Sequence, residues 1–204
     1  MGSRPKSVRA GRLNRGDRGV TLVEGAIVAP LFLLLVFTVF EFGLAFRQYL
    51  TISTADVNAT RTASAAGNVG LADFLTLKEF NRSTAAIHAS DVKTVVVFKA
   101  VGPKSSIEND ASLMPCLTAS RPGLCNRYVA SDLGRDSSQF GNCAVGSTSP
   151  DRFWCPTSRI VAASGPPDYV GVYVATRYDS ATGIFGKSFD FSQQTIYRLE
   201  AQTR

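Results

Sequence analysis

Apolar residues fall along this chain in three rhythms. The first is a continuous run. From Gly25 to Phe40 sixteen residues carry no charge, and the wider stretch Val20–Phe46 is interrupted only by Glu24 and Glu41. A bilayer core needs roughly 20 predominantly apolar helical residues, so this stretch reads as a transmembrane helix with a carboxylate near each end. The second rhythm is helical and follows directly. Ala55, Ala59 and Ala63 recur at i, i+4 and i+8, a narrow stripe of small residues on one face. Phe46, Leu50 and Val57 form a bulkier stripe beside it, and Gly67 is a natural stop. A helix over residues 20–66 would be about 70 Å long at ~1.5 Å per residue. Its first half is expected in lipid and its second half on a soluble domain. Pro30 removes a backbone donor and crowds the carbonyl of Ala26. With Gly25 it marks the expected kink, which membrane helices tolerate.

Beyond Gly70 the helical period is broken: Leu71, Phe74, Leu75 and Leu77, then Ala85, Ala86 and Ile87, read as one or two helices. The third rhythm has a period of two. In Val92–Val101 the positions Val92, Thr94, Val96, Phe98 and Ala100 share one face, and lysines edge the other, as in a half-buried strand. Tyr169–Tyr178 is apolar or aromatic on both faces, as a central strand would be. From Ser188, the positions Phe189, Phe191, Thr195, Tyr197 and Leu199 alternate with Asp190, Ser192, Gln194, Arg198 and Glu200, a strand with one buried face. Gly183 and Gly186 lie between these two segments and predict a turn, hence an antiparallel hairpin. Residues 102–168 follow no rhythm. They are rich in Gly, Pro and Ser and are expected to form a long loop in need of extra constraint. The expected fold class is α+β: a long N-terminal transmembrane helix packed on a small antiparallel sheet, with a disulfide-stapled loop region.

Charge divides the chain further. The formal net charge is +6 and the isoelectric point about 9.4, a balance that invites nucleic acid as a partner. Its distribution removes that reading. Arg4, Lys6, Arg9, Arg12, Arg15 and Arg18 against Asp17 give residues 1–19 a net +5, which leaves +1 for everything after. Cations ahead of an apolar span stay in the cytoplasm. The expected topology is therefore single-pass in the cytoplasmic membrane, N-terminus inside and C-terminal domain outside. The expected divisions are a basic leader over 1–19, a transmembrane and assembly helix over 20–67, and an extracytoplasmic domain over 68–204, with the cysteine-rich loop at 102–168.

That placement bears on Cys116, Cys125, Cys143 and Cys155. An even number of cysteines outside the cytoplasm argues for two disulfides. Three pairings are possible, with nearest neighbours preferred. No pair has C-x-x-C spacing and His88 is the only histidine, so no metal site is expected. No phosphate-binding loop, HExxH motif or Ser-His or Cys-His pair stands out, so no catalytic residue and no cofactor are expected. The remaining classes are a structural subunit and a binding domain.

Glycine, an apolar start and a carboxylate five places on occur together at Gly19, Val20 and Glu24. This arrangement resembles a type IV prepilin processing site. The resemblance implies a membrane peptidase cutting between Gly19 and Val20, with Glu24 meeting the freed ammonium of a neighbouring subunit. Val23-Glu24, then Pro30, then Glu41-Phe42-Gly43 and an Ala/Thr/Arg-rich helix from Ala55 to Ala66 resemble the TadE-like family of the tight-adherence pilus over about a quarter of the chain. Gly25 departs from the larger residue usual in that family. The resemblance implies a minor pilin or pseudopilin without enzymatic activity. Its partners would be a prepilin peptidase, other pilin and pilus-assembly subunits and the lipid bilayer, in adhesion or secretion, with the surface pilus as a further location. Two alternatives stand beside it. One is an uncut anchor carrying an extracytoplasmic binding domain. The other is conventional signal cleavage after Gly43-Leu44-Ala45.

Overall fold

The computed structural model describes residues 16–161, 165–184 and 186–200, with side chains from Thr21 onward. Residues 1–15 of the expected leader lie outside the described residues. The chain divides into two compact units, Met1–Phe42 and Gly43–Arg204. Helix α1, Gly16–Ala66, contributes to both and is continuous, with Pro30 inside it. It ends where expected. Gly67 takes a positive φ of 55° and its N–H bonds back to Ala63 O at 3.2 Å, a left-handed stop that glycine adopts without steric cost.

The second unit is an antiparallel sheet with a different cover on each face. Its strands are β1 (Val92–Ala100), β2 (Cys125–Tyr128), β3 (Tyr169–Asp179) and β4 (Ser188–Arg198), in the order β2-β1-β3-β4. The β3–β4 hairpin pairs Tyr169 with Arg198 through to Asp179 with Ser188. One face carries α2 (Ala72–Ser83) and the second part of α1. Ile52, Ala55, Ala59 and Ala63 of α1 and Leu77 and Phe80 of α2 pack with Val95, Val97, Val170, Val172 and Val174 of the strands. The alanine stripe is fully buried there, because residues without long side chains let helix and sheet backbones approach closely.

Strand β1 differs from the half-buried strand expected. Nearly every position is buried, on both faces. The lysine-edged side, Val95 and Val97, meets the helices. A register shift between Val92 and Thr94 brings Val92 onto that same side, as a bulge does. The other side, Val96, Phe98 and Ala100, is covered by Ile107, Leu113, Cys116 and Cys125. The segment between β1 and β3 thus forms a second, smaller core, and β2 lies within it. Its four residues pair with β1 from Val95↔Tyr128 to Phe98↔Cys125. The disulfide-stapled loop region expected over 102–168 thus also carries a short strand and several 3-10 turns.

Two disulfides, Cys116–Cys125 and Cys143–Cys155, hold this segment, and they join nearest neighbours. The first ties a short 3-10 turn at Met114–Leu117 to the start of β2. The second closes a loop that also carries Trp154. Beneath that loop lies a buried polar network. Asp73 of α2 and Arg159 are both fully buried, with Arg159 Nη2 2.5 Å from Asp73 Oδ1. Tyr128 Oη (2.6 Å) and Asn126 Nδ2 (2.8 Å) donate to Asp73 Oδ2, and the Arg159 guanidinium lies 4.2 Å from the Trp154 ring centroid. Burial and the neighbouring Asp73 carboxylate push the Tyr128 hydroxyl well above its ordinary pKa, so it remains a donor. The network joins α2, β2 and the second disulfide loop.

Two substitutions test this packing by urea unfolding, with the single tryptophan, Trp154, as the fluorescent reporter. A Cβ added at Gly171 would collide with the Phe98 ring across the β1–β3 pair, so Gly171→Ala is expected to cost ~1–3 kcal/mol, as overpacking does. Arg159→Met strands the Asp73 carboxylate and is expected to cost ~3–5 kcal/mol. An unchanged unfolding midpoint would contradict the assigned contact in either case.

Candidate functional site

Helix α1 is the element whose side chains demand something beyond the chain itself. In its most apolar 18-residue window no residue is buried. Leu22, Ile27, Leu31 and Phe32 are each more than 60% exposed. By length and composition the helix is able to cross a membrane, since its own backbone hydrogen bonds leave only apolar side chains to face lipid. Gly19 and Val20 lie in the early turns of this helix. Glu24 and Pro30 are both exposed, and Glu24 has no ion-pair partner among the described residues. Gly25 has open space where a side chain would project. Glu41, the carboxylate at the other end of the apolar run, is 2% exposed. The two glutamates therefore differ: only Glu24 is open to a partner from outside.

Past Phe46 the helix changes role. Gln48 Nε2 donates to Arg177 O at 3.0 Å, and Ser64 Oγ donates to Arg198 O at 2.6 Å. These two bonds fix α1 along the hairpin at both ends of the alanine seam. Between them sits a residue that the apolar pattern did not single out. Asp56, ten positions beyond the apolar stretch, is 1% exposed. Its Oδ2 accepts a 2.6 Å bond from Thr195 Oγ1 of β4, and Oδ1 has no partner. Burial raises its pKa to about 7, and the Thr195 bond only partly opposes that. The available signal was a carboxylate immediately after Ala55, on the face already expected to be buried.

The remaining expected site residues are the cysteines. They lie on the sheet face opposite the helices or in the loop above Asp73, and all four are closed in disulfides. Among the described residues no group of His, Cys, Asp and Glu is arranged to hold a metal ion.

The raised carboxyl makes stability pH-dependent with a definite sign. A group that binds its proton more tightly when folded contributes most below its unfolded value, 3.8, and loses that contribution as pH rises toward about 7. The second unit is therefore expected to unfold at lower urea at pH 8 than at pH 4.5. Asp56→Asn, which keeps an acceptor for Thr195 but no charge, should remove most of that difference. A shift of this size corresponds to roughly 4 kcal/mol at most. Equal pH dependence in Asp56→Asn and wild type would assign the effect elsewhere.

Comparison with known proteins agrees with the prominence of α1. Neither the curated proteins nor the solved structures include a match to this chain. The family model described as TadE-like protein does match, over residues 19–55, from the glycine ahead of the apolar stretch to the first alanine of the buried seam, so that segment is similar to the TadE-like family.

Proposed function

We propose that this protein is a pilin-like structural subunit, a minor pilin or pseudopilin of a tight-adherence type pilus system, made as a membrane-inserted precursor. The observation that carries the reading is the unburied apolar face of α1, with exposed Glu24 near its start, on the segment that matches the TadE-like family. A helix of this kind needs lipid around it, or the equivalent helices of other subunits. In the proposed cycle the basic leader holds the N-terminus in the cytoplasm, and residues 50–204 lie outside. A prepilin peptidase cuts between Gly19 and Val20 and removes the net +5 leader. The helix is then free to leave the bilayer into an assembly with other subunits.

Cutting creates an ammonium on Val20 one helical turn from Glu24. In an apolar assembly that ammonium needs a counter-charge, which Glu24 of a neighbour supplies. Leaving one member of such a pair alone in an apolar site costs about 3–5 kcal/mol. Glu24 also sits favourably at the positive end of the helix dipole.

Intact mass of membrane-extracted protein from a peptidase-competent host tests the cut. The expected chain begins at Val20, and Gly19→Leu is expected to retain the full leader. Glu24→Gln should insert in the membrane normally but co-purify with pilus components at much lower yield. A wild-type chain of full length would replace this reading with the anchored binding domain. Unchanged yield for Glu24→Gln would remove the ion pair and leave the cut standing.

A further inference from the structure

At one end of the second unit three segments meet. They are residues 43–50 of α1, the turn after α2 at residues 84–88, and the described residues 180–184 and 186–187 between β3 and β4. The Gln48–Arg177 bond pins the base of the hairpin beside α1. Leu44, Arg47, Ala86, Ile87, Tyr178 and Ala181, from all three segments, line one shallow cleft of about 210 Å³. The β3–β4 connection belongs to this end. It is closed by Ser180 N–H to Lys187 O at 3.0 Å, and its Ile184 is 42% exposed.

The side chains presented here are of two kinds. Phe46, Tyr49, Leu50 and Ile184 expose apolar or aromatic bodies. Arg47 and Lys187 are exposed cations with no ion-pair partner among the described residues. The other cations nearby are already matched, Arg177 by Asp179 at 2.9 Å and Lys93 by Asp190 at 2.6 Å. Two exposed cations, Arg47 and Lys187, therefore remain open to an anion from outside. Apolar and aromatic tips beside unmatched cations are what a headgroup layer completes, with rings at the glycerol level and cations at the phosphates. The sequence places that layer nearby, because the apolar stretch of α1 ends at Phe46, inside this same patch.

We infer that this end of the second unit is a lipid-contacting surface. The hairpin tip at Ile184, flanked by Arg47 and Lys187, rests in the headgroup layer of the membrane that α1 enters. It gives the domain a second attachment and restrains rotation about the helix axis. The inference rests on the membrane-spanning reading of α1, and the test separates the two.

All four native cysteines are in disulfides, so an introduced cysteine is the one thiol available to a nitrobenzoxadiazole label. Full-length protein carrying Ile184→Cys, Val145→Cys or Leu34→Cys is reconstituted into vesicles of phosphatidylcholine and phosphatidylglycerol. Quenching by lipids spin-labelled near the headgroup or along the chain is compared with quenching by aqueous iodide. The expected result is lipid quenching at Ile184 and Leu34 and iodide quenching at Val145, which is fully exposed in the second disulfide loop. Lys187→Glu should weaken headgroup contact at Ile184 by about fivefold, the equivalent of ~1 kcal/mol per basic residue near an anionic surface. Lipid quenching at Leu34 with iodide quenching at Ile184 overturns this inference alone. Iodide quenching at Leu34 overturns the spanning reading beneath it. Equal lipid quenching at Ile184 and Val145, or no effect of Lys187→Glu, also overturns it.

Discussion

Helix α1 has to satisfy two surroundings with one backbone, and the rest of the structure follows from how it does so. Its main-chain hydrogen bonds close within the helix wherever it lies, so only side-chain size and polarity can distinguish one half from the other. Between Leu22 and Phe40 every large apolar side chain is exposed. From Ile52 to Ala63 the fully buried apolar positions are Ile52 and three alanines, with Asp56 and Thr60 buried beside them. Small residues there set how close the helix comes to β1 and β3, whose valines fill the remaining space. The two backbone acceptors on the hairpin, Arg177 O and Arg198 O, then hold the helix in register at both ends of that seam.

The opposite face of the sheet poses a different problem. Val96, Phe98 and Tyr173 point away from the helices, and leaving them in water would forfeit roughly 25 cal/mol for each Å² of apolar surface. The segment between β1 and β3 solves this with few apolar residues of its own. Ile107 and Leu113 supply the cover, and the Cys116–Cys125 bridge lies within it, so the cross-link is also part of the core. The contact is close enough that Gly171 has to lack a side chain beneath the Phe98 ring. The Cys143–Cys155 loop is held by a different means, through charge: Asp73, Arg159, Asn126 and Tyr128 satisfy one another beneath it. Arg159 Nε and Nη1 remain without partners. Such a buried pair is weak evidence of net stability; its clearer effect is to specify which loop sits against α2.

Much of the candidate site was legible in linear order. The apolar run, Gly19 with Glu24 five places on, Pro30 and the alanine stripe are all spacing signals along a single helix, and spacing survives in a sequence. The match over residues 19–55 falls on the same stretch. The hairpin of β3 and β4 was legible for a similar reason: its period of two and its Gly183–Gly186 turn are local.

What the linear pattern left open were contacts between residues far apart in the chain. Strand β2 is four residues long, too short for a period of its own, and exists because β1 offers an edge to it. The second core depends on where residues 103–125 return over the sheet, and so β1 is buried on both faces although lysines edge one of them. Asp56 became a buried acid only when Thr195, 139 positions away, was placed against it. Asp73 and Arg159, 86 positions apart, carry no sign in sequence that they form a pair. By itself the sequence determined helix and strand periodicity, the membrane-like character of α1, the concentration of positive charge in residues 1–19 and the even cysteine count, because each depends on neighbours along the chain. Only the tertiary structure decided which cysteines join, which face of β1 meets which layer and which charges are buried, because burial and pairing depend on distance in space.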